Sequence, residues 1–188
     1  MKEIWIQIRY VLPLWFVQTM TNWWPDNRIT IKIRGILAKP FIGKCGKNFT
    51  LGSCVTINSP HNLSVGNNVY IAKGTWLNAL GKLDLEDEVV LAPYVVISTL
   101  QHVFKDGSVR FGGSNAAPVK IGKGSWLAAH VSVKCGVKIG KGNLIAANAF
   151  VAQNTNDYKI VGGVPAKEIK DNEDGTPMFF TRSETMKK

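Results

Sequence analysis

The hydrophobic residues between Ile121 and Asn156 recur every six positions. This segment divides into the hexads IGKGSW, LAAHVS, VKCGVK, IGKGNL, IAANAF and VAQNTN, and an aliphatic residue opens each of them. A six-residue period fits neither a helix, which has about 3.6 residues per turn, nor an ordinary strand, which alternates every second residue. The pattern therefore predicts a solenoid of short parallel strands, with three hexads in each turn and the aliphatic residues inside.

The repeat extends well upstream of this segment. It is irregular over residues 25–64, where Ile42 opens the hexad IGKCGK, and it becomes regular at Val65. A single turn cannot bury its apolar side chains alone, so neighbouring turns must stack. We therefore expect irregular first turns over residues 25–64 and a mainly β, hexapeptide-repeat β-helix over residues 65–166.

One long interruption breaks the β-helix. The repeat stops after Thr99 and resumes at Val119, and residues 100–118 are rich in Gly, Ser, Asn and charge. A loop of this length in a regular scaffold is uncommon and usually functional. We expect it to protrude from the solenoid, and it contains His102.

The two ends of the chain differ from the repeat. Residues 1–24 carry apolar residues at helical spacing, but the apolar run is too short to span a bilayer, and no signal-peptide cleavage site follows it. This helix either caps the open end of the solenoid or lies in a membrane interface, with Trp23 and Trp24 near the headgroups. At the other end we expect a C-terminal tail over residues 167–188, in which Met178–Phe180 docks on a surface.

Composition narrows the range of partners. The chain has 188 residues, of which 45% are hydrophobic and 19% charged, and its formal net charge is +10. Such a charge favours anionic ligands or an anionic membrane surface. The basic residues are scattered and form no zinc finger or basic helix, so we do not expect a nucleic-acid partner. The three cysteines form no CxxC pair, which is typical of reduced thiols in a cytoplasmic protein.

Three motifs, taken in order, resemble a known family. LAPYVVIST with its His-bearing loop, IGKGSWLAAHVSV and IVGGVPAKEIK are similar to motifs of the hexapeptide-repeat acyltransferases, in the sugar and polysaccharide O-acetyltransferase branch that includes the galactoside and maltose acetyltransferases. The resemblance covers about residues 42–170. It implies a left-handed coil, although about 98% of parallel crossovers are right-handed. It also implies a homotrimer with active sites between adjacent solenoids, and acetyl-CoA as the donor in a direct transfer.

The resemblance also implies roles for individual residues. His102 matches the catalytic base, and the backbone N–H of Ala129 matches a donor to the thioester oxygen. The residues that match the cofactor groove are Trp126, Ala128, Ala129, Ala146, Ala147, Gly163, Pro165, Lys167 and Lys170. The residues on the acceptor side are Ala72, Trp76 and Asn78.

The chain departs from the family pattern at several of these positions. Ala128 and Ala146 replace glycines that are frequent in the family, and both remain small. Ala72 and Asn78 stand where the family often has Asn and Asp, which makes the acceptor side less typical than the donor side.

The candidate residues suit a single reaction. A sugar hydroxyl needs a base, which an imidazole supplies, and a thioester under attack needs a donor at the developing oxyanion. His61 has the setting of a turn residue, and we expect His130 to be structural or to line the groove. No cluster of His, Cys and Asp has the spacing of a metal site, so no metal is expected.

The sequence therefore predicts an acetyl-CoA-dependent O-acetyltransferase that acts on a sugar, in a surface-polysaccharide or lipid-linked precursor. If residues 1–24 bind a membrane, the enzyme works at the inner membrane face. One alternative is an N-acetyltransferase of an amino-sugar nucleotide, and another is a non-catalytic trimeric scaffold.

Overall fold

Three parallel sheets form the faces of a solenoid in the computed structural model, which describes residues 1–174. The predicted docking of Met178–Phe180 lies outside the described residues. Sheet A contains β1 (Lys44–Cys45), β4 (Leu63–Val65), β7 (Leu83–Leu85), β12 (Val119–Ile121) and β15 (Lys138–Ile139). Sheet B contains β2 (Thr50–Leu51), β5 (Tyr70–Ile71), β8 (Val90–Leu91), β13 (Trp126–Leu127), β16 (Leu144–Ile145), β18 (Lys159–Gly163) and β19 (Ala166–Asp171). Sheet C contains β3 (Thr56–Asn58), β6 (Trp76–Asn78), β9 (Val96–Ser98), β14 (Ser132–Val133) and β17 (Phe150–Val151).

The chain visits the three sheets in the order A, B, C, and each strand pairs in parallel with its counterparts in the neighbouring turns. The interior is filled as the hexads predict. The aliphatic residues that open the six hexads are at most 3% exposed, namely Ile121, Leu127, Val133, Ile139, Ile145 and Val151. Burying each such side chain contributes about 1.5–3 kcal/mol. The prediction of a mainly β hexapeptide-repeat solenoid is confirmed.

Helices cover the first turn. α1 (Lys2–Ile6), a π-helical segment (Gln7–Val11) and α2 (Leu12–Thr21) follow one another without a break, and α3 (Thr30–Ala38) comes after a short link. The inner face of this helical unit packs on the solenoid, because Leu14 is buried and the Gln18 side chain donates to the carbonyl of Val55 at 2.8 Å. None of the described helices is long and apolar enough to cross a membrane.

Helix α3 lies within the segment for which the sequence analysis predicts irregular first turns. Its sequence, TIKIRGILA, is rich in isoleucine and contains a central glycine, and both features disfavour a helix on propensity alone. Tertiary packing explains the glycine. A Cβ at Gly35 would lie 2.2 Å from the carbonyl oxygen of Phe49, so only glycine lets α3 approach the first turn this closely.

Two antiparallel ribbons complete the fold. Segment 100–118 begins and ends as a hairpin of β10 (Leu100–His102) and β11 (Ser114–Ala116), so its base is more regular than the loop that the sequence predicts. At the other end, β19 pairs antiparallel with β18 and extends sheet B. Residues 167–171, the start of the predicted tail, therefore belong to a strand.

Candidate active site

Small residues form a column along the corner between sheets B and C. The column contains Gly52, Ala72, Ala92, Ala128 and Ala146, one from each successive turn. Each of these residues donates its backbone N–H to a carbonyl of the next turn, at 2.7–2.9 Å. These side chains have at most one methyl group, so the corner is narrow.

Ala129 follows this column in the fourth turn and has an unpaired backbone donor. Its carbonyl accepts from the N–H of Asn148 at 3.0 Å, whereas its own N–H has no acceptor among residues 1–174. The equivalent N–H groups of Lys73 and Ala147 also lack an acceptor there, but those residues are exposed and Ala129 is half-buried. The N–H of Ala129 is therefore a donor that a ligand oxygen at this corner could use.

Two aromatic rings lie next to Ala129. Gly74, Tyr94 and His130 occupy equivalent corner positions in three consecutive turns, all with φ between 61° and 70°. The rings of Tyr94 and His130 stack at 5.2 Å between centroids with an interplanar angle of 8°. A Cβ at Gly74 would lie 2.4 Å from the Tyr94 ring, so the glycine makes space for this ring. Tyr94 was not a candidate from the sequence, because its place beside Ala129 depends on how the turns stack.

The cofactor candidates form one strip at the C-terminal end of the solenoid. Trp126 on β13 pairs with Leu144 on β16, which pairs in turn with Ile160 on β18. Antiparallel pairing then places Lys170 opposite Ile160. The strip thus runs from Trp126, across two strands, to the basic strand β19.

The strip also continues along the corner between sheets B and C. A Cβ at Gly162 would lie 3.1 Å from the Cβ of Ala146, so β18 continues the column of small residues. Gly163 pairs with Ala166 and Gly162 with Lys167, and Pro165 lies in the turn between them, after a cis peptide bond. The structure therefore brings all nine cofactor candidates onto neighbouring strands and corners of the last three turns.

Two lysines give this surface positive charge. Lys167 and Lys170 are exposed, and neither has a carboxylate within 4.0 Å among the described residues. Nearby Lys159 differs, because its ammonium group pairs with Asp171, and the hydrogen bond from this pair raises the pKa of Lys159. The charges of Lys167 and Lys170 therefore remain available for an anion.

His102 lies on β10, opposite Ser114 of β11, and its side chain is exposed. None of the described side chains forms a hydrogen bond with it. The hairpin leaves the solenoid at the corner between sheets C and A, where the N–H of Ala117 donates to the carbonyl of Thr99 at 3.0 Å. Ala129 lies at a different corner, between sheets B and C. A single chain therefore does not bring His102 and Ala129 together at one edge of the solenoid.

The three acceptor candidates lie in the second turn. Ala72 belongs to the column of small residues, whereas Trp76 and Asn78 lie on β6 in sheet C. The side-chain oxygen of Asn78 accepts from the N–H of Leu80 at 3.1 Å, which is a local turn contact. Two rungs separate Ala72 from the turn of Ala129, a distance of about 10 Å at the usual spacing of strands.

A separate groove crosses sheet A and holds none of the predicted site residues. Its volume is about 700 Å³, and Lys44, Lys82, Lys138 and His61 contribute to its lining. Nδ1 of His61 is buried without a hydrogen-bond partner among the described residues, and burial lowers the pKa of this imidazole. Among residues 1–174, no group of three or more His, Cys, Asp or Glu side chains is arranged to hold a metal ion.

Comparison with known proteins gives this geometry a context. Residues 118–153 match the family described as bacterial transferase hexapeptide (six repeats). The putative colanic acid biosynthesis acetyltransferase WcaF of Escherichia coli is 26% identical over 169 residues, which cover 90% of this chain and 86% of the relative. The chain is therefore similar to a hexapeptide-repeat transferase family over residues 118–153 and to a named acetyltransferase over most of its length. The chain is also 28% identical to galactoside O-acetyltransferase of Escherichia coli over 137 residues, which cover 70% of the chain and 68% of that protein.

Solved structures share the fold of this chain. A maltose O-acetyltransferase from Clostridium difficile 630 superposes with a TM-score of 0.78 at 23% identity, covering 90% of the chain and 89% of that protein. A galactoside acetyltransferase in complex with coenzyme A gives a TM-score of 0.78 at 22% identity, with coverage of 90% and 84%. The match confirms the prediction of a left-handed parallel β-helix with an N-terminal helix.

Proposed function

We propose that the protein is an acetyl-CoA-dependent O-acetyltransferase that acetylates a hydroxyl group of a sugar. One observation carries the proposal. The strip from Trp126 to Lys170 joins a column of small residues, an unpaired half-buried N–H at Ala129 and two unpaired lysines. Similarity to named sugar acetyltransferases and to a structure that holds coenzyme A supports this interpretation.

The strip matches the parts of acetyl-CoA in order. Lys167 and Lys170 bind the phosphates, and the methyl groups of Ala128, Ala146 and Ala147 line the pantetheine arm without filling its path. The thioester then lies at the fourth turn, where its carbonyl oxygen accepts from the N–H of Ala129. Such a donor typically contributes about 3–4 kcal/mol to stabilisation of the transition state.

His102 acts as the general base in this proposal. Its imidazole takes the proton from the acceptor hydroxyl while that oxygen attacks the thioester carbon, and a C–O bond forms. The tetrahedral oxyanion is held by the N–H of Ala129 and then collapses, so that the C–S bond breaks. The imidazolium returns the proton to the departing CoA thiolate. A base of this kind contributes about 10²–10⁴-fold.

The site requires two copies of the chain. His102 and Ala129 belong to different corners of one solenoid, so a hairpin from one copy must reach the strip of its neighbour. A homotrimer with cyclic symmetry provides three equivalent sites of this kind. In such an arrangement Ala72, Trp76 and Asn78 line the acceptor end.

The acceptor in this proposal is a sugar of a surface polysaccharide or of its lipid-linked precursor, modified at the cytoplasmic face of the inner membrane. The printed name of WcaF, which assigns it to colanic acid biosynthesis, supports a polysaccharide acceptor. The net charge of +10 suits an acceptor that carries phosphate or carboxylate groups.

The test is the release of free CoA from acetyl-CoA in the presence of sugars, sugar nucleotides and amino-sugar nucleotides. We expect turnover with a hydroxyl acceptor, and a loss of at least 10²-fold in the His102→Ala variant with acetyl-CoA binding retained. Turnover only with an amino-sugar nucleotide would replace the proposal by an N-acetyltransferase. Absence of acetyl-CoA binding would favour the scaffold instead.

A further inference from the structure

The helical unit formed by α1, α2 and α3, with the link between α2 and α3, exposes many large apolar side chains on its outer face. Its large hydrophobic side chains are 38–89% exposed and comprise Ile4, Trp5, Ile8, Leu12, Trp15, Phe16, Met20, Trp23, Trp24, Ile29, Ile33, Ile36 and Leu37. Soluble monomers rarely expose contiguous apolar patches of more than a few hundred Å². We call these thirteen residues the outer face.

Most residues of the outer face lie on the helices, and Trp23, Trp24 and Ile29 lie in the link between α2 and α3. On α2, the exposed Leu12, Trp15 and Phe16 are spaced by three and four residues, while Leu14 and Thr21 on the other side are buried against the solenoid. The helices are therefore apolar on both sides. The inner side packs on the first turn, and this packing leaves no described part of the chain to cover the outer one.

Basic residues outnumber acidic residues in the helical unit. Residues 1–39 contain six Lys and Arg and only two acidic residues, Glu3 and Asp26. Asp26 is neutralised by Arg34, whose guanidinium lies 2.9 Å from its carboxylate. In contrast, Lys2, Arg9, Arg28 and Lys32 have no carboxylate within 4.0 Å among the described residues.

The exposed tryptophans and the unpaired cations together indicate which kind of partner covers the outer face. Exposed tryptophans beside unpaired Lys and Arg are typical of helices that lie in a membrane interface, where the indole rings sit at the headgroups and the cations meet anionic lipids. A second copy of the same face would bring the unpaired cations of both copies together without carboxylates to balance them. Charge complementarity therefore favours an anionic lipid surface over self-association.

We propose that the outer face binds the surface of an anionic bilayer, with the helices parallel to the membrane plane and the first solenoid turn next to the headgroups. Trp15 and Trp23 enter the interface, and Arg28 and Lys32 contact lipid phosphates. Because α2 and α3 are fixed to the solenoid, the axis of the solenoid points away from the bilayer, with β19 at the distal end. This proposal does not depend on the acetyl-transfer chemistry.

The experiment is flotation of the full-length protein with vesicles of phosphatidylcholine that contain phosphatidylglycerol, compared with phosphatidylcholine alone. We expect binding that requires phosphatidylglycerol and weakens as salt is raised from about 0.05 to 0.5 M. Quenching of tryptophan fluorescence by lipids brominated on the acyl chain then tests insertion of the rings.

Matched variants separate the two contributions. Arg28→Gln with Lys32→Gln removes two charges beside the outer face, while Lys138→Gln with Lys141→Gln removes two from the fifth turn at the opposite end. Each charge near an anionic bilayer contributes about fivefold to binding. The Arg28 and Lys32 substitutions together should therefore weaken binding by at least tenfold, and the Lys138 and Lys141 substitutions by less than threefold. Trp23→Ser should also weaken binding at least tenfold, whereas Phe111→Ser, at a similarly exposed position on the hairpin, should not.

Unchanged melting temperatures show that these exposed positions leave the fold intact. The proposal is overturned if the protein does not float with phosphatidylglycerol vesicles, or if the helix variants and the control variants bind equally well. It is also overturned if Trp23→Ser abolishes a concentration-dependent association of the protein without affecting flotation, because the outer face would then join two copies.

Discussion

The guanidinium of Arg34 donates to the carboxylate of Asp26 at 2.9 Å, and the side chain of Arg34 is fully buried. Arg34 also donates to the backbone carbonyls of Thr21 and Leu51, each at 2.9 Å. Asp26 in turn accepts from the N–H of Ser53 at 3.0 Å and from its hydroxyl group at 3.0 Å. One ion pair therefore joins the end of α2, the link to α3 and the first turn of the solenoid.

Replacing Arg34 by Met should destabilise the protein by about 3–5 kcal/mol, because Asp26 loses its cationic partner and the carbonyls of Thr21 and Leu51 lose a buried donor. The free energy of unfolding from urea titration measures this loss. Arg28→Met provides the control, since Arg28 is exposed and the change should stay within about 0.5 kcal/mol. Equal stability of the two variants would show that the Arg34 network does not anchor the helices.

Replacing Gly35 by Ala should also destabilise the protein, by about 1–3 kcal/mol, although Ala is the better helix former. The added Cβ would lie 2.2 Å from the carbonyl oxygen of Phe49, and backbone on both sides must move to relieve this contact. Ile36→Ala, at an exposed neighbouring position, is the matched control. A more stable Gly35→Ala variant in the same urea titration would contradict the close approach of α3.

The Glu86 carboxylate should make stability depend on pH. Its pKa is lowered, first because Lys120 donates a hydrogen bond to it at 2.6 Å. A lowered pKa in the folded state stabilises the protein above the unfolded pKa, about 4.3, and this contribution is lost as pH falls through the folded value. Both partners are partly exposed, so Glu86→Gln should cost only about 0.5–1 kcal/mol at pH 7.

Urea titrations at pH 7 and pH 3 measure the effect. The difference between wild type and Glu86→Gln should shrink at pH 3, because this lies below the unfolded pKa and the contribution of the ionised form declines as pH falls towards the folded pKa. A difference that stays constant across this range would show that the Lys120 contact contributes nothing specific to the ionised form.

The period of the sequence predicts the solenoid well, because each hexad is a local unit that places one aliphatic residue inside. Helix α3 is harder to predict, because Gly35 and the isoleucines suit a strand by propensity and the helix depends on packing against the first turn. The sequence contains one local signal for the start of α3. The side chain of Asn27 accepts from the N–H groups of Ile29 and Thr30, as a residue at the start of a helix does.

The candidate site is predictable only in part. The cofactor candidates from Trp126 to Lys170 lie in consecutive turns of the regular repeat. The stacking of these turns therefore places the residues that match the family on neighbouring strands. The six-residue period does not predict the relative positions of His102 and Ala129, because segment 100–118 departs from the repeat. The stacking of Tyr94 on His130 likewise depends on left-handed corner geometry, which no single hexad reveals.

The two exposed histidines should behave differently when replaced by Asn. His102→Asn should lower kcat for acetyl transfer by about 10²–10⁴-fold, because the base is lost. His130→Asn should change kcat by less than tenfold, because Asn tolerates the positive φ of this corner and the histidine only stacks on Tyr94. Release of free CoA from acetyl-CoA measures both variants, and a larger loss in His130→Asn would reverse the assignment of the base.

Each proposed active site takes His102 from one chain and the strip of Ala129 from another, so two different inactive variants should complement each other in mixed trimers. His102→Ala lacks the base, and Ala147→Trp blocks the strip at an exposed position. Each variant alone should be inactive in the CoA-release assay. Trimers formed from an equal mixture should regain about a quarter of wild-type activity, because half of the hairpins and half of the strips are intact and pair at random. A mixture that stays inactive, although both variants fold and exchange chains, would contradict a site shared between two copies.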